Sequence, residues 1–170
     1  NGASGYLLGM GDYIDFVSPS NRQRIRSAAL YDTATTVLDT AAIGLAQGLF
    51  KSVLEGTKGK WLGLLEGHHF YQGSDGRTTD QYLAEALSAP FLGTSAFVRL
   101  VLIDPASPLR RNTLVIWCHH GAGSGMKTAA PLNRLENLLP YWEADLFLMG
   151  HQSKRGVVPV DRIYPDWTGD

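Results

Sequence analysis

The chain has 170 residues, 44% of them hydrophobic, which is the size of one ordinary domain with enough apolar material for its own core. Fifteen basic against sixteen acidic residues leave a formal charge of −1, so no global basic field exists to hold nucleic acid or an anionic membrane. The single cysteine, Cys118, cannot form an internal disulfide and suits a reducing compartment. No apolar stretch approaches the roughly 20 residues of a membrane span, and the first residues lack a signal-peptide pattern. The expectation is a cytoplasmic chain without a membrane partner. Asn1 rather than methionine stands first, close to a strand-like run, so the sequence reads as a fragment.

In chain order, "YLLGM" at 6–10 is an apolar run closed by Gly11, a buried strand opening into the loop "GDYIDFVSPS". Ser20 is the expected N-cap of a helix reaching about Glu55, either continuous or broken near Gly44 or Gly48, with Gly56 as its stop. "KWLGLL" predicts a second buried strand, followed by the loop "HHFYQGSDGRTT". Thr79 is the expected cap of a short helix, "DQYLAEALSA". "SAFVRLVLID" and "TLVIWC" predict a hairpin around "PASPLRRN". "APLNRLENLLPYW" has the spacing of a helix, and "ADLFLMG" that of a buried strand leading into "HQSKRG". Alternating strands and helices predict an α/β layered domain, a single one over 1–170.

All five histidines occur at three places, each directly after a strand-like run: His68 and His69, His119 and His120, and His151. Asp12 and Asp15 follow the first strand in the same way. Ligands bind beyond the carboxyl ends of strands in α/β sheets, where several loops converge. A lone histidine there is usually a hydrogen-bonded loop residue, and Asp12 alone could be a turn residue. Jointly they have the composition of a transition-metal site.

Four segments, in order, resemble the motifs of calcineurin-like metallophosphoesterases: "GDYIDF" the Gly-Asp-x-x-Asp motif, "EGHHF" the Gly-Asn-His-Asp/Glu motif, "VIWCHHG" the strand-then-His motif, and "MGHQS" the Gly-His-x-His motif. The resemblance covers nearly the whole chain. It implies a sandwich of two mixed β-sheets flanked by helices, with a binuclear metal centre of Mn, Fe or Zn that hydrolyses a phosphomonoester or phosphodiester through a metal-bound hydroxide. It further implies Asp12 as the bridging carboxylate, His68 in place of a metal-binding asparagine, His69 as the catalytic histidine, and His151 as a ligand. From the third loop His119 is the preferred ligand and His120 the alternative.

Three departures accompany the resemblance. The opening Asp-x-His motif is absent, and its natural place is upstream of Asn1. Ser153 stands where the last motif has its second histidine, and Phe70 where an acidic residue is usual. One metal site is therefore expected nearly intact and the other poorly supplied, so one or two ions per chain remain open. The rival reading is a non-catalytic metal-binding or interaction domain. A nucleotide loop is a weaker alternative, because Met126 replaces the glycine that must precede Lys127 and Thr128. Arg22, Arg24 and Arg26 read as a solvated face, and Trp61, Trp117 and Trp142 as packing residues.

Overall fold

The computed structural model describes residues 5–28, 31–123, 129–152 and 155–161, and not the side chains of Pro19 and Arg26. Strand β1 (Leu7–Gly9) pairs in parallel with β2 (Trp61–Leu64). The far edge of β2 is taken by 90–93: Leu64 N–H donates to Pro90 O and Leu92 N–H to Leu64 O, both at 2.9 Å. That segment runs on into β3 (Ser95–Asp104), which pairs antiparallel with β4 (Ser107–His119). On its other side β4 pairs in parallel with β5 (Leu146–Met149). The domain is thus mixed α/β with two small sheets. The larger sheet is mixed, whereas the smaller is parallel throughout, which corrects the expectation of two mixed sheets.

The apolar faces of the two sheets share one core. Leu8, Leu62 and Leu65 from the β1–β2 side meet Val98, Ile116, Cys118 and Leu148 from the other. The opposite side of β2 presents Trp61 and Leu64 to a second cluster with Leu49, Leu83, Ala84 and Leu87 from the helices. Burial on both sides explains why "WLGLL" reads as a continuous apolar run rather than an alternating one.

Helix α1 (Pro19–Ser27) starts two residues earlier than expected: Ser18 is the cap, its Oγ accepting the Asn21 N–H at 3.3 Å, because Pro19 fits the first helical position. Helix α2 (Asp32–Leu49), with Tyr31 as its N-cap, is separate from α1 and runs unbroken through Gly44 and Gly48. Those two glycines lie on an open helix surface where an added Cβ would meet nothing, so nothing there forces a break. Hydroxyls of Thr36, Thr40 and Ser52 bond back to carbonyls four residues earlier, satisfying polar side chains on the exposed face. A π-helical turn (Phe50–Leu54) and a 3-10 turn (Glu55–Thr57) prolong it. The run Asp32–Thr57 is, by length and composition, apolar enough to cross a membrane, which corrects the expectation that no such run exists. One face of α2 is tied to the domain through buried Ala42 and Ala46 and through Asp39, which accepts from Tyr71 Oη and from Ser74.

Helix α3 (Thr79–Leu87) is capped by Thr78 rather than Thr79, with Gln81 closing the capping box. The hairpin between β3 and β4 is tighter than expected: "SPLRRN" continues the strand instead of forming the turn, and Asp104 already pairs with Ser107. Helix α4 covers Ala129–Glu136, shorter than its apolar spacing suggested.

Candidate metal centre

Four chain segments leave the carboxyl ends of β1, β2, β4 and β5 and converge. Two glycines make the convergence possible. Gly11, at φ +90°, lies so close to His120 and Gly67 that an added Cβ would stand 2.8 Å from Gly67 Cα, and one on Gly67 would stand 2.0 Å from Asp12 N. Asp12 and His151 both adopt left-handed backbone, at φ 54° and 61°, a conformation that turns each side chain inward directly after its strand.

The result is a cluster in which one donor atom each from Asp12, His68, His120 and His151 lies within 4.8 Å of all the others. His120 Nε2 stands 3.2 Å and His151 Nδ1 3.5 Å from Asp12 Oδ2, and His68 Nδ1 lies 3.2 Å from His151 Nδ1. The three rings meet edge to face, with centroids 4.6 to 5.1 Å apart.

Hydrogen bonding fixes the chemistry of His120. A carbonyl can only accept, so His120 Nδ1–H donates to Met10 O at 2.6 Å. In the neutral ring Nε2 then carries a lone pair, and this atom is buried with no hydrogen-bond partner while facing a carboxylate. Two acceptors aimed at one another repel, and the repulsion is relieved either by a proton on Nε2, which makes the 3.2 Å contact an ion pair, or by a metal ion between them. A backbone carbonyl on the far nitrogen is also the usual way a ligating imidazole is held in its tautomer.

Asp12 is held in the charged form. Burial opposes this, but N–H bonds from His68 and His69 to Oδ1 and the positive charge that His120 and His69 carry when protonated outweigh it, so its carboxyl titrates below the usual range. His68 is pushed down by burial first and then by His120 and His151, which favours the neutral ring that a metal requires. The donor set of three imidazoles and one carboxylate fits a divalent transition ion at about 2.0–2.2 Å from each ligand, the ligand atoms closing in slightly from their present spread.

His69 faces elsewhere. Its Nδ1–H donates to Asp15 Oδ1 at 2.8 Å, and the ring is one-third exposed beside the cluster. The pair leaves Nε2 to meet an incoming group, the arrangement of an oriented acid–base histidine. His119, expected first from the third loop, is turned away: its Nδ1 accepts the Gly121 N–H at 2.7 Å and its ring stacks on Trp117 at 5.7 Å and 5°. Strand alternation is the reason. Trp117 and His119 share the outer face of β4, whereas Ile116 and Cys118 point inward and His120 continues their side.

Arg22 corrects the reading of a solvated basic face. Its guanidinium lies 3.8 Å over the Phe70 ring and donates to the carbonyls of His68 and Phe70, bracing the loop that carries His68 and His69. Phe70, a departure from the motif that the sequence resembles, thus serves as packing under Arg22. Asp80 was not foreseen either: an acid in the first turn of a helix reads as an ordinary dipole partner, yet it is buried beneath Gly67 and accepts that N–H at 2.9 Å. Ser153, Lys127 and Thr128 lie outside the described residues. No family model matches the chain, and no curated protein or solved structure matches it.

Proposed function

We propose that the cluster holds a divalent transition-metal ion and that the chain hydrolyses a phosphomonoester or phosphodiester, as its resemblance to calcineurin-like metallophosphoesterases implies. The observation that carries the metal is His120: its tautomer is fixed by Met10, and its second nitrogen is buried against Asp12 with no hydrogen-bond partner. A bound ion of this kind supplies Lewis acidity and makes bound water acidic near neutrality.

The chain's own residues supply the rest. Asp12, His68, His120 and His151 bind the ion and set its position. His69, oriented by Asp15, holds a proton at Nε2 for the leaving oxygen of the ester. Mn, Fe and Zn all suit these donors.

Among the described residues the structure forms one such cluster. That favours, as second reading, a domain that binds one ion without turnover. Hydrolysis of an aryl phosphate by the metal-loaded protein separates the two. The enzyme reading requires turnover that His69→Ala removes while metal content stays. A metal-loaded protein that turns over neither a phosphomonoester nor a phosphodiester leaves only the binding domain.

A further inference from the structure

Three consecutive N–H groups run through the turn after β2, and they divide between two carboxylates. Gly67 N–H donates to Asp80 Oδ2 at 2.9 Å, whereas the N–H groups of His68 and His69 both donate to Asp12 Oδ1. Asp80 is 1% exposed, and its Oδ1 is buried with no hydrogen-bond partner. Burial, joined by the charges of Glu66 and Asp12, pushes its carboxyl up to about 6 despite the Gly67 bond. Such a group costs stability, because a buried acceptor without a partner forfeits its hydration.

Helix α3 does not need it. Thr78 and Gln81 already cap the helix reciprocally, and an acid that served only the helix dipole would do so from the surface. What needs an anchor is Gly67. No residue with a Cβ fits there, since that atom would stand 2.0 Å from Asp12 N and 2.3 Å from Asp12 Oδ1. The side chain that close approach forbids would also have restricted the backbone, so the glycine before His68 has more conformational freedom than any residue with a Cβ and gains from a fixed partner.

We propose that Asp80 is a positioning residue for the metal centre, fixing the Gly67 peptide so that the next two N–H groups meet Asp12 and the His68 ring faces the ligand cluster. The proposal rests on the metal-centre reading above. Asp80 itself stands outside the set of four donor atoms and acts through Gly67.

The test compares Co²⁺ binding and the visible absorption of the bound ion in the wild type, Asp80→Asn and Asp80→Leu. Asparagine keeps an oxygen for the Gly67 N–H and leucine does not. Leucine is expected to weaken Co²⁺ binding by roughly 10- to 100-fold and to alter the absorption bands, with asparagine within about threefold of wild type and spectrally unchanged. Should the leucine variant not fold, amide exchange decides: Gly67 N–H is expected to be slowed relative to the exposed Gly156 N–H in the wild type and to stay slow in Asp80→Asn. Leucine binding Co²⁺ as the wild type does, or a Gly67 amide that exchanges freely in the wild type, overturns the proposal and leaves the metal centre standing. A wild type that binds no Co²⁺ overturns the metal centre itself, and the positioning role with it.

Discussion

The two ends of the larger sheet differ in kind. At the carboxyl ends of β4 and β5, together with those of β1 and β2, four loops meet in short polar contacts and two non-glycine residues take left-handed backbone. At the opposite end the β3–β4 hairpin, paired along its ladder, leaves Val101, Leu102, Ile103 and Leu109 exposed. The same strands serve both, so strand pairing does not make the site. What makes it is the crossing of loops, which Gly11 and Gly67 permit and which hydrogen bonds accepted by Met10 O and Asp80 Oδ2 and donated by Arg22 fix in place.

The contrast can be broken hardest at the crossing. His120→Ala and Asp12→Ala remove donor atoms and are expected to lower metal content of the loaded protein to near zero, read by elemental analysis. His69→Ala leaves every ligand in place. Hydrolysis of an aryl phosphate by this variant is expected to drop by roughly 10²- to 10⁴-fold at unchanged metal content, because only the acid–base step is lost. Loss of metal in this variant would show that His69 belongs to the cluster after all.

Gly67→Ala forces a Cβ onto the backbone of Asp12, which cannot yield as a flexible side chain would. Its expected cost is about 2–3 kcal/mol in urea unfolding of the metal-free protein. Asp80 gives a pH signature of similar size. Its carboxyl titrates at about 6 in the fold, above its ordinary 3.8, so the folded state holds the proton more tightly. The stability this brings is fully present below pH 3.8 and lost as pH rises through about 6. Asp80→Asn is therefore expected to flatten the stability profile of the metal-free protein between these pH values by on the order of 3 kcal/mol. An unchanged slope would show that Asp80 is not the group responsible. At the far end of the sheet, Leu109→Ser is expected to move stability by no more than about 0.5 kcal/mol and to leave metal binding unchanged.

Much of this was legible in the sequence, and the gaps have physical causes. Five strands and the placing of every histidine at or beyond the carboxyl end of a strand follow from apolar runs and their terminators. Periodicity cannot see a cap displaced by one or two residues, as with Thr78 and Ser18, because neighbouring hydroxyl residues compete for the same geometry. Nor did counting strand ends choose between His119 and His120. The two faces of β4 carried that answer: Ile116 and Cys118 join the inner core while Trp117 stacks on His119, so the inward face extends to His120. Asp80, Arg22 and Gly67 were illegible for a different reason. Each acts on the centre through backbone atoms of a distant segment, and a backbone carbonyl or N–H has no signature in sequence.

The most direct measurement is metal stoichiometry and affinity for Mn²⁺ and Zn²⁺ in the wild type, His119→Ala and His120→Ala. The account predicts an ion bound by the wild type, kept in His119→Ala and lost in His120→Ala. Retention in His120→Ala with loss in His119→Ala, or no ion in the wild type, would contradict it.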